Sequence, residues 1–437
     1  MHGPTSTLTG IALTTALVAA APTAALPSAA ATPNGVGPHV ATVSGQQLLV
    51  STDAANARIT QVLPQRTQKK ILGDRFTMTV WDAEDGRFVY KRRGRAALRG
   101  ASTTKILTSV GALTLLGPEH RFPTKVRQGS NPSELFLVAG GDPLLTSANL
   151  RALARRTAAS LAATPASRRQ ITVRADDTLF SGTGQSRGWS SSWMPNEVRP
   201  VGAFARDDRK VRDATQDAGA YFAAALRAAG LPATYAGERV APEGSQKVAR
   251  YRGHRLAEAV SRTLLISDND TAEMLFRHVA VARGLPGTWA GARQALSDTL
   301  TELDVPMKRV RIIDGSGLSL EGRLTARALT AALDLALSPD HPELAGVRGW
   351  LPVAGRTGTL QAAYERFTDK PAKCAAGLIQ AKTGTLADSI ALAGYAQGAD
   401  GHTKVFVSIV NSRPTRYSRL TTRKAVDRVV SGITGCW

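Results

Sequence analysis

A chain of 437 residues is longer than one hydrophobic core usually serves, which points to two domains. Hydrophobic residues make up 43% and charged residues 20%, a balance that excludes a disordered chain. The net charge of +21 calls for anionic surroundings and leaves nucleic acid, anionic lipid and cell-wall polymer as candidates.

The first 31 residues narrow that choice. An apolar run over residues 11–21 is followed by alanine-rich sequence with Ala-x-Ala-type cleavage options between Ala24 and Ala31, the pattern of a secretory signal whose basic start is weak, with only His2. The run falls short of the ~20 apolar residues of a membrane span, and no cysteine near the cleavage zone offers a lipid anchor. Export, to an extracellular or periplasmic wall-associated location, is therefore expected, and nucleic acid drops out as a partner. Only two cysteines exist, Cys374 and Cys436. In an exported chain a lone pair forms one disulfide, the alternative being two buried thiols; without matching histidines they make no metal site.

Farther along, "RFTMTVWDAEDGRFVYKRRG" predicts a β-hairpin, with Thr77, Thr79 and Trp81 alternating with Met78 and Val80 and "EDG" as the turn. In "LRGASTTKILTSVGALTLLG", Ile106, Leu107, Val110, Leu113 and Leu116 follow helical spacing up to Gly117-Pro118. Ser102 thus sits at a helix start, where unpaired N–H groups and the macrodipole favour developing negative charge. Lys105 lies one turn on, where its side chain can touch that of Ser102 and serve as its base.

From residue 122 to 250 the texture changes to an inserted α/β unit. It holds a strand entering a Gly-Gly-Asp-Pro turn, a basic helix, the strand "RQITVRADDTLF" and a helix with a Gly-Pro stop. In that unit Ser147-Ala148-Asn149 is assigned to a serine-capped helix start. Gly184-Gln185-Ser186-Arg187-Gly188 matches a nucleophile elbow in letters only, because polar loop flanks it on both sides. After residue 251 long helices resume, and "LLISDNDTAEMLFRHVA" opens one of them with Ser267-Asp268-Asn269. Three strands, "GLIQAKTGTL", "SIALAGYAQG" and "TKVFVSIVNS", then form an antiparallel set, with a last helix near residues 423–433. The first ends on Lys382-Thr383-Gly384-Thr385, where a small Gly384 would let a substrate backbone approach an edge strand. "GRTGTL" at residues 355–360 is a near-copy carrying arginine for lysine. The seven histidines show no metal spacing and no triad order.

Ser-x-x-Lys, Ser-Asp-Asn and Lys-Thr-Gly occur in the order that marks β-lactamases and penicillin-binding proteins. With "AGGDPLLT" and "DGSGLSLEGRLT", the chain resembles the class C low-molecular-mass penicillin-binding proteins, serine D-alanyl-D-alanine carboxypeptidases and endopeptidases. The resemblance implies an α/β (α+β) penicillin-recognising, β-lactamase/transpeptidase-like fold: an antiparallel sheet flanked by helices, over residues 40–121 and 251–437, with the α/β subdomain 122–250 inserted. The short gap from Ser102 to Ser267 implies a reduced insert.

It also implies that Ser102 attacks the bond between two D-alanines of a peptidoglycan stem peptide. Lys105 takes the proton, neutral through desolvation and nearby cationic Lys382. Ser267 relays a proton to the leaving amine, Asn269 orients the substrate amide, and the N–H groups of Ser102 and Thr385 bind the oxyanion. Lys382 and Thr383 hold the terminal carboxylate, Gly384 lies between them and Thr385, no metal or cofactor takes part, and β-lactams acylate the same serine. Positive charge would hold the enzyme to anionic wall polymers or a membrane surface. Where relatives show a Gly-x-Asp-Gly-Thr-Leu loop, Arg356-Thr357-Gly358 leaves that loop without an assigned role. A β-lactamase or esterase of this fold, or an idle wall-binding homologue, are the alternatives.

Overall fold

The computed structural model describes residues 50–437, and the expected leader at residues 1–31 lies outside the described residues. In chain order the elements are α1 (Thr52–Thr67), β1 (Arg75–Asp82), β2 (Arg87–Arg92), α2 (Thr104–Leu116), β3 (Thr124–Gln128), β4 (Glu134–Val138) and α3 (Ser147–Leu161). There follow β5 (Ile171–Asp176), α4 (Ala214–Ala228), β6 (Ala233–Glu238), β7 (Gln246–Tyr251), α5 (Leu256–Leu265), α6 (Asn269–Ala282) and α7 (Trp289–Glu302). The chain closes with α8 (Ala326–Leu335), β8 (Ile379–Thr385), β9 (Ile390–Gln397), β10 (Thr403–Asn411) and α9 (Arg419–Ser431).

One sheet runs β2-β1-β10-β9-β8 and is antiparallel throughout. The early hairpin therefore joins the three late strands, and Arg75 pairs with Asn411 across nearly the whole sequence. Alternation in β1 would leave Thr77 and Thr79 on a wet face. Both are buried instead, because α8 covers that face and Thr79 Oγ1 lies 2.8 Å from Thr330 Oγ1. The opposite face packs Phe76, Met78, Phe406 and Val410 against Ile59 and Leu63 of α1 and Val426 and Val430 of α9. Helix α1 has no clear apolar stripe and carries an internal Pro64, so periodicity does not announce it.

A second sheet, β6-β5-β4-β3-β7, uses only strands between Thr124 and Tyr251. It is mixed: β4-β5 and β5-β6 are parallel, β3-β4 and β3-β7 antiparallel. Its core residues Leu135, Leu137, Ile171 and Val173 belong to the same hydrophobic cluster as Leu107, Val110 and Leu113 of α2. Helix α2 lies at the centre, with every side chain from Thr104 to Leu113 buried against α5, α6, α7 and α8.

Two local expectations need correction, and the discounted Ser186 elbow is indeed loop. The cap of α3 is Thr146, not Ser147: Thr146 Oγ1 accepts the Asn149 N–H, and the Asn149 side chain returns the favour to the Thr146 N–H. The last helix starts four residues early, at Arg419, because Ser418 caps it. The Ser186 elbow is a buried loop whose hydroxyl lies 3.4 Å from the Ile313 carbonyl. Near the C-terminus, Cys374 and Cys436 approach to a Cα separation of 6.0 Å. A buried bidentate pair, Arg366 with Asp427 at 2.5 and 2.8 Å, fixes α9 to the loop that precedes β8.

Candidate active site

Ser102 sits in a short 3-10 turn, Ala101–Thr103, that feeds α2. The preceding Ala101 has φ of +48°, a left-handed conformation that disfavours alanine by about 1–2 kcal/mol. Lys105, one turn on, has no solvent exposure at all. Its Nζ lies 3.0 Å from Ser102 Oγ, 2.7 Å from Asn269 Oδ1 and 2.9 Å from the Ser316 carbonyl. Amide and carbonyl oxygens can only accept. A neutral amine gives its two hydrogens to them and turns its lone pair to the serine hydroxyl.

Burial pushes Lys105 down to about 8, while Glu273, Asp314, Asp268 and Asp270 pull it back up. Burial is the leading cause, and the nearby lysine, Lys382, is not among the groups that act most on it. That residue is itself fully buried, and burial followed by Lys105 holds it well below an ordinary lysine. Its Nζ is 3.0 Å from the Thr383 carbonyl.

Two buried carboxylates, Glu273 and Asp314, organise this centre. Glu273, buried in α6 one turn after Asn269, accepts the Gly315 and Ser316 N–H groups at 2.8 Å each and so aims the Ser316 carbonyl at Lys105. Asp314 accepts from the Gly317 N–H at 3.0 Å, the Ser319 N–H at 2.6 Å and Trp189 Nε1 at 2.7 Å. Burial and Asp314 push the Glu273 carboxyl up, against its hydrogen bonds from Ser316 and Gly315. Glycine is required twice here. A Cβ on Gly315 would stand 2.5 Å from the Ala272 carbonyl oxygen, and one on Gly317, at φ +79°, 2.0 Å from the Ala101 carbonyl oxygen. The Asp-Gly-Ser-Gly stretch was visible in the sequence, but its contact with the Ser102 turn was not.

Ser267, also left-handed at φ +65°, precedes Asp268, whose carboxylate caps α6 through the Thr271 N–H at 2.8 Å. Asn269 donates one amide hydrogen to the Glu197 carbonyl at 2.8 Å, so the loop between β5 and α4 closes over the site. On β8, Thr383 Oγ1 lies 2.8 Å from Thr359 Oγ1, and Thr385 Oγ1 accepts from Arg423 Nε at 3.3 Å. Thr359 comes from the loop left without an assignment, which thereby lines the site. Gly384 has a packing reason to be small: a Cβ there would sit 2.5 Å from the Gly100 carbonyl oxygen.

Ser102, Ser267, Asn269, Thr383 and Thr385 line one cleft of about 340 Å³, together with Glu197, Leu318, Thr359, Tyr364, Arg366 and Arg423. Lys105, Lys382 and Gly384 are buried. A hydroxyl with an adjoining amine, a second hydroxyl, hydroxyl groups along a strand edge and the Arg423 guanidinium of α9 equip the cleft for acyl transfer from a substrate ending in a carboxylate.

The family model of the D-Ala-D-Ala carboxypeptidase 3 (S13) family matches residues 59–201 and 194–432. A carboxypeptidase of Mycobacterium tuberculosis is 32% identical over 361 residues, covering 76% of this chain and 75% of its own. A D-alanyl-D-alanine carboxypeptidase of Actinomadura sp. is 26% identical over 475 residues, covering 86% and 85%. Penicillin binding protein 4 of Haemophilus influenzae shares the fold, with a TM-score of 0.72 at 19% identity over 85% of this chain and 98% of that one. It has also been solved complexed with a β-lactam, a structure that superposes with a TM-score of 0.65 at 18% identity over 85% and 98%.

The charge balance around Lys105 can be read directly. With ε-13C-lysine labelling, its NMR signal should titrate near pH 8 rather than at the ordinary 10.5. Glu273→Gln keeps the burial but removes a negative charge that favours the ammonium, so the midpoint should fall further. A wild-type midpoint near 10, or a rise in the variant, contradicts this account.

Proposed function

The chain belongs to the D-Ala-D-Ala carboxypeptidase 3 (S13) family, and we propose that Ser102 is its nucleophile, Lys105 the base and Ser267 the proton relay. The enzyme is a serine-type D-alanyl-D-alanine carboxypeptidase of the penicillin-binding kind, acting on peptidoglycan peptides. The observation that carries the residue roles is the 3.0 Å contact of Lys105 Nζ with Ser102 Oγ, with both other Nζ partners acceptors.

Ser102 Oγ attacks the carbonyl carbon of the penultimate D-alanine as its proton passes to Lys105. Negative charge on the carbonyl oxygen is met by the N–H groups of Ser102 and Thr385, aided by the field of the α2 N-terminus. The C–N bond breaks as a proton from Lys105, passed through Ser267, reaches the departing D-alanine amine. Water then attacks the acyl ester as Lys105 again takes the proton, which returns to Ser102 Oγ as the ester C–O bond breaks, and the shortened peptide leaves as its carboxylate. Thr383, Thr385 and Arg423 hold the terminal carboxylate, with Lys382 behind the strand. Asn269 keeps Lys105 in place and has a second amide hydrogen for the substrate.

Ser102→Ala should lower D-alanine release from a D-Ala-D-Ala peptide by about 10⁴-fold or more, and Lys105→Ala by nearly as much, since members of one unit fail together. Ser186→Ala should retain activity. Substantial release by Ser102→Ala removes this assignment.

A β-lactamase of the same fold would need a carboxylate placed to drive deacylation. Glu273 is committed to two backbone N–H groups in the core. Glu197 lines the cleft, but its exposed carboxylate makes no side-chain hydrogen bond among the described residues that would aim it. Penicillin should therefore form a Ser102 adduct that persists for many minutes in intact-mass measurements, and Glu197→Gln should not lengthen it. Loss of the adduct within seconds, with hydrolysed drug accumulating, moves the assignment to β-lactamase.

Export accords with the apolar run at residues 11–21, and the net +21 suits retention against anionic wall polymer. Cys374 and Cys436, at a Cα separation of 6.0 Å, form a disulfide in the exported protein and tie the C-terminus to the segment before β8. Non-reducing digestion and mass spectrometry should yield the linked peptide; two alkylatable thiols in the exported protein contradict it.

A further inference from the structure

On the flank of the first sheet two recesses adjoin, sharing Pro306 and Arg327 as walls. The smaller, of about 290 Å³, is bounded by Trp81 and Phe88 on the sheet and by Thr330, Ala331 and Asp334 of α8. The larger, of about 440 Å³, is lined by Arg95, Lys308, Arg309 and Arg327 with Thr325 and Pro306, and by no carboxylate. None of these residues lines the cleft that holds Ser102.

The chemistry of the two halves differs. In the first, the rings of Trp81 and Phe88 meet edge to face with centroids 4.8 Å apart. Trp81 Nε1 donates to Asp334 Oδ1 at 3.0 Å, which fixes the indole and leaves Oδ2 of that half-buried carboxylate without a protein partner among the described residues. An aromatic surface beside a hydrogen-bond acceptor suits a pyranose, whose C–H face stacks on the ring while its hydroxyls donate.

In the second, none of the four cations forms an ion pair or a side-chain hydrogen bond among the described residues. Arg327 stacks over Phe88 at 5.4 Å from the ring centroid and so bridges the halves. Arg309 is held at φ +71°, a left-handed conformation that a residue with a Cβ adopts at a cost of about 1–2 kcal/mol. Four unpaired cations around a recess, three of them planar guanidinium groups, match a phosphate or carboxylate group.

We propose that the two recesses are one non-catalytic binding site for an anionic saccharide, its ring on Trp81 and Phe88 and its acid group among Arg327, Arg309, Lys308 and Arg95. This gives the diffuse positive charge a specific place to act. It rests on the wall-association reading only for where such a ligand is met.

Calorimetric titration of the full chain at low salt tests the site with three probes: N-acetylglucosamine 6-phosphate, N-acetylglucosamine and inorganic phosphate. The sugar phosphate should bind at least tenfold more tightly than either of the others. A Lys308→Ala/Arg309→Ala double variant should lose tenfold or more of that affinity. Arg169→Ala/Arg212→Ala removes the same charge from exposed positions elsewhere and should change it less than twofold. Trp81→Phe should weaken the sugar phosphate and leave inorganic phosphate unaffected. D-alanine release by the same preparations should be unchanged in the charge variants, which establishes that they are folded and reports the active-site reading separately. Equal loss in both double variants, equal affinity for inorganic phosphate and sugar phosphate, or no binding of the sugar phosphate overturns the proposal.

Discussion

Everything at the site depends on keeping one lysine out of water. An amine on a four-carbon stem is strongly solvated, and removing all of its exposure is tolerable only where it is met by acceptors in fixed positions or loses its proton. Lys105 has both conditions. Its partners come from three separate stretches: Ser102 from its own turn, Asn269 from the start of α6, and the Ser316 carbonyl from the Asp-Gly-Ser-Gly loop. The burial that lowers its proton affinity also sets the geometry, so exposing Lys105 would undo both.

The negative groups around it act in the opposite sense, and their placement explains why the depression stops near 8. Glu273 and Asp314 hold loop N–H groups rather than lysine hydrogens. They are structural anchors that also tune charge, near enough to favour the ammonium.

How much of this could be read from the sequence follows from the distance between the parts. Ser102 and Lys105 are one turn apart, so their contact is local and was legible, as were the hairpin, the three late strands and the buried helix between them. Glu273 and Ser316 are joined only by the packing of the loop onto α6, and no local pattern announces that. Gly384 was read as necessarily small, yet the atom that requires it, the Gly100 carbonyl, lies a long way back in the chain. Nothing near Thr79 in the chain foretells its burial, because α8, which covers it, arrives some 250 residues later. Helix α1 was not seen at all, since its burial against β2 and α9 is carried by a few apolar side chains in a mostly polar stretch. Chemistry borne by neighbours in sequence survives translation into motifs; chemistry borne by neighbours in space does not.

The second sheet enters the chemistry through the first turn of α6. The Glu197 carbonyl takes an Asn269 amide hydrogen, and the Arg199 N–H donates to Asp270 Oδ1 at 2.8 Å. Asp270 also pairs with Arg199 and Lys210, while Arg262 bridges Asp268 and Asp208 at 2.7 and 2.6 Å. Arg199 and Asp270 are almost wholly buried, and breaking such a pair by removing one member typically destabilises by about 3–5 kcal/mol. The loop at residues 197–210 is thus bound to the same turn that carries Asn269, with Glu273 one turn further along the rigid helix. Any displacement of that loop that carried α6 with it would move both groups that define the surroundings of Lys105, one by direct contact and one through Ser316. The inserted unit is in this way part of what holds the surroundings of Lys105 in place, and not only a wall of the cleft.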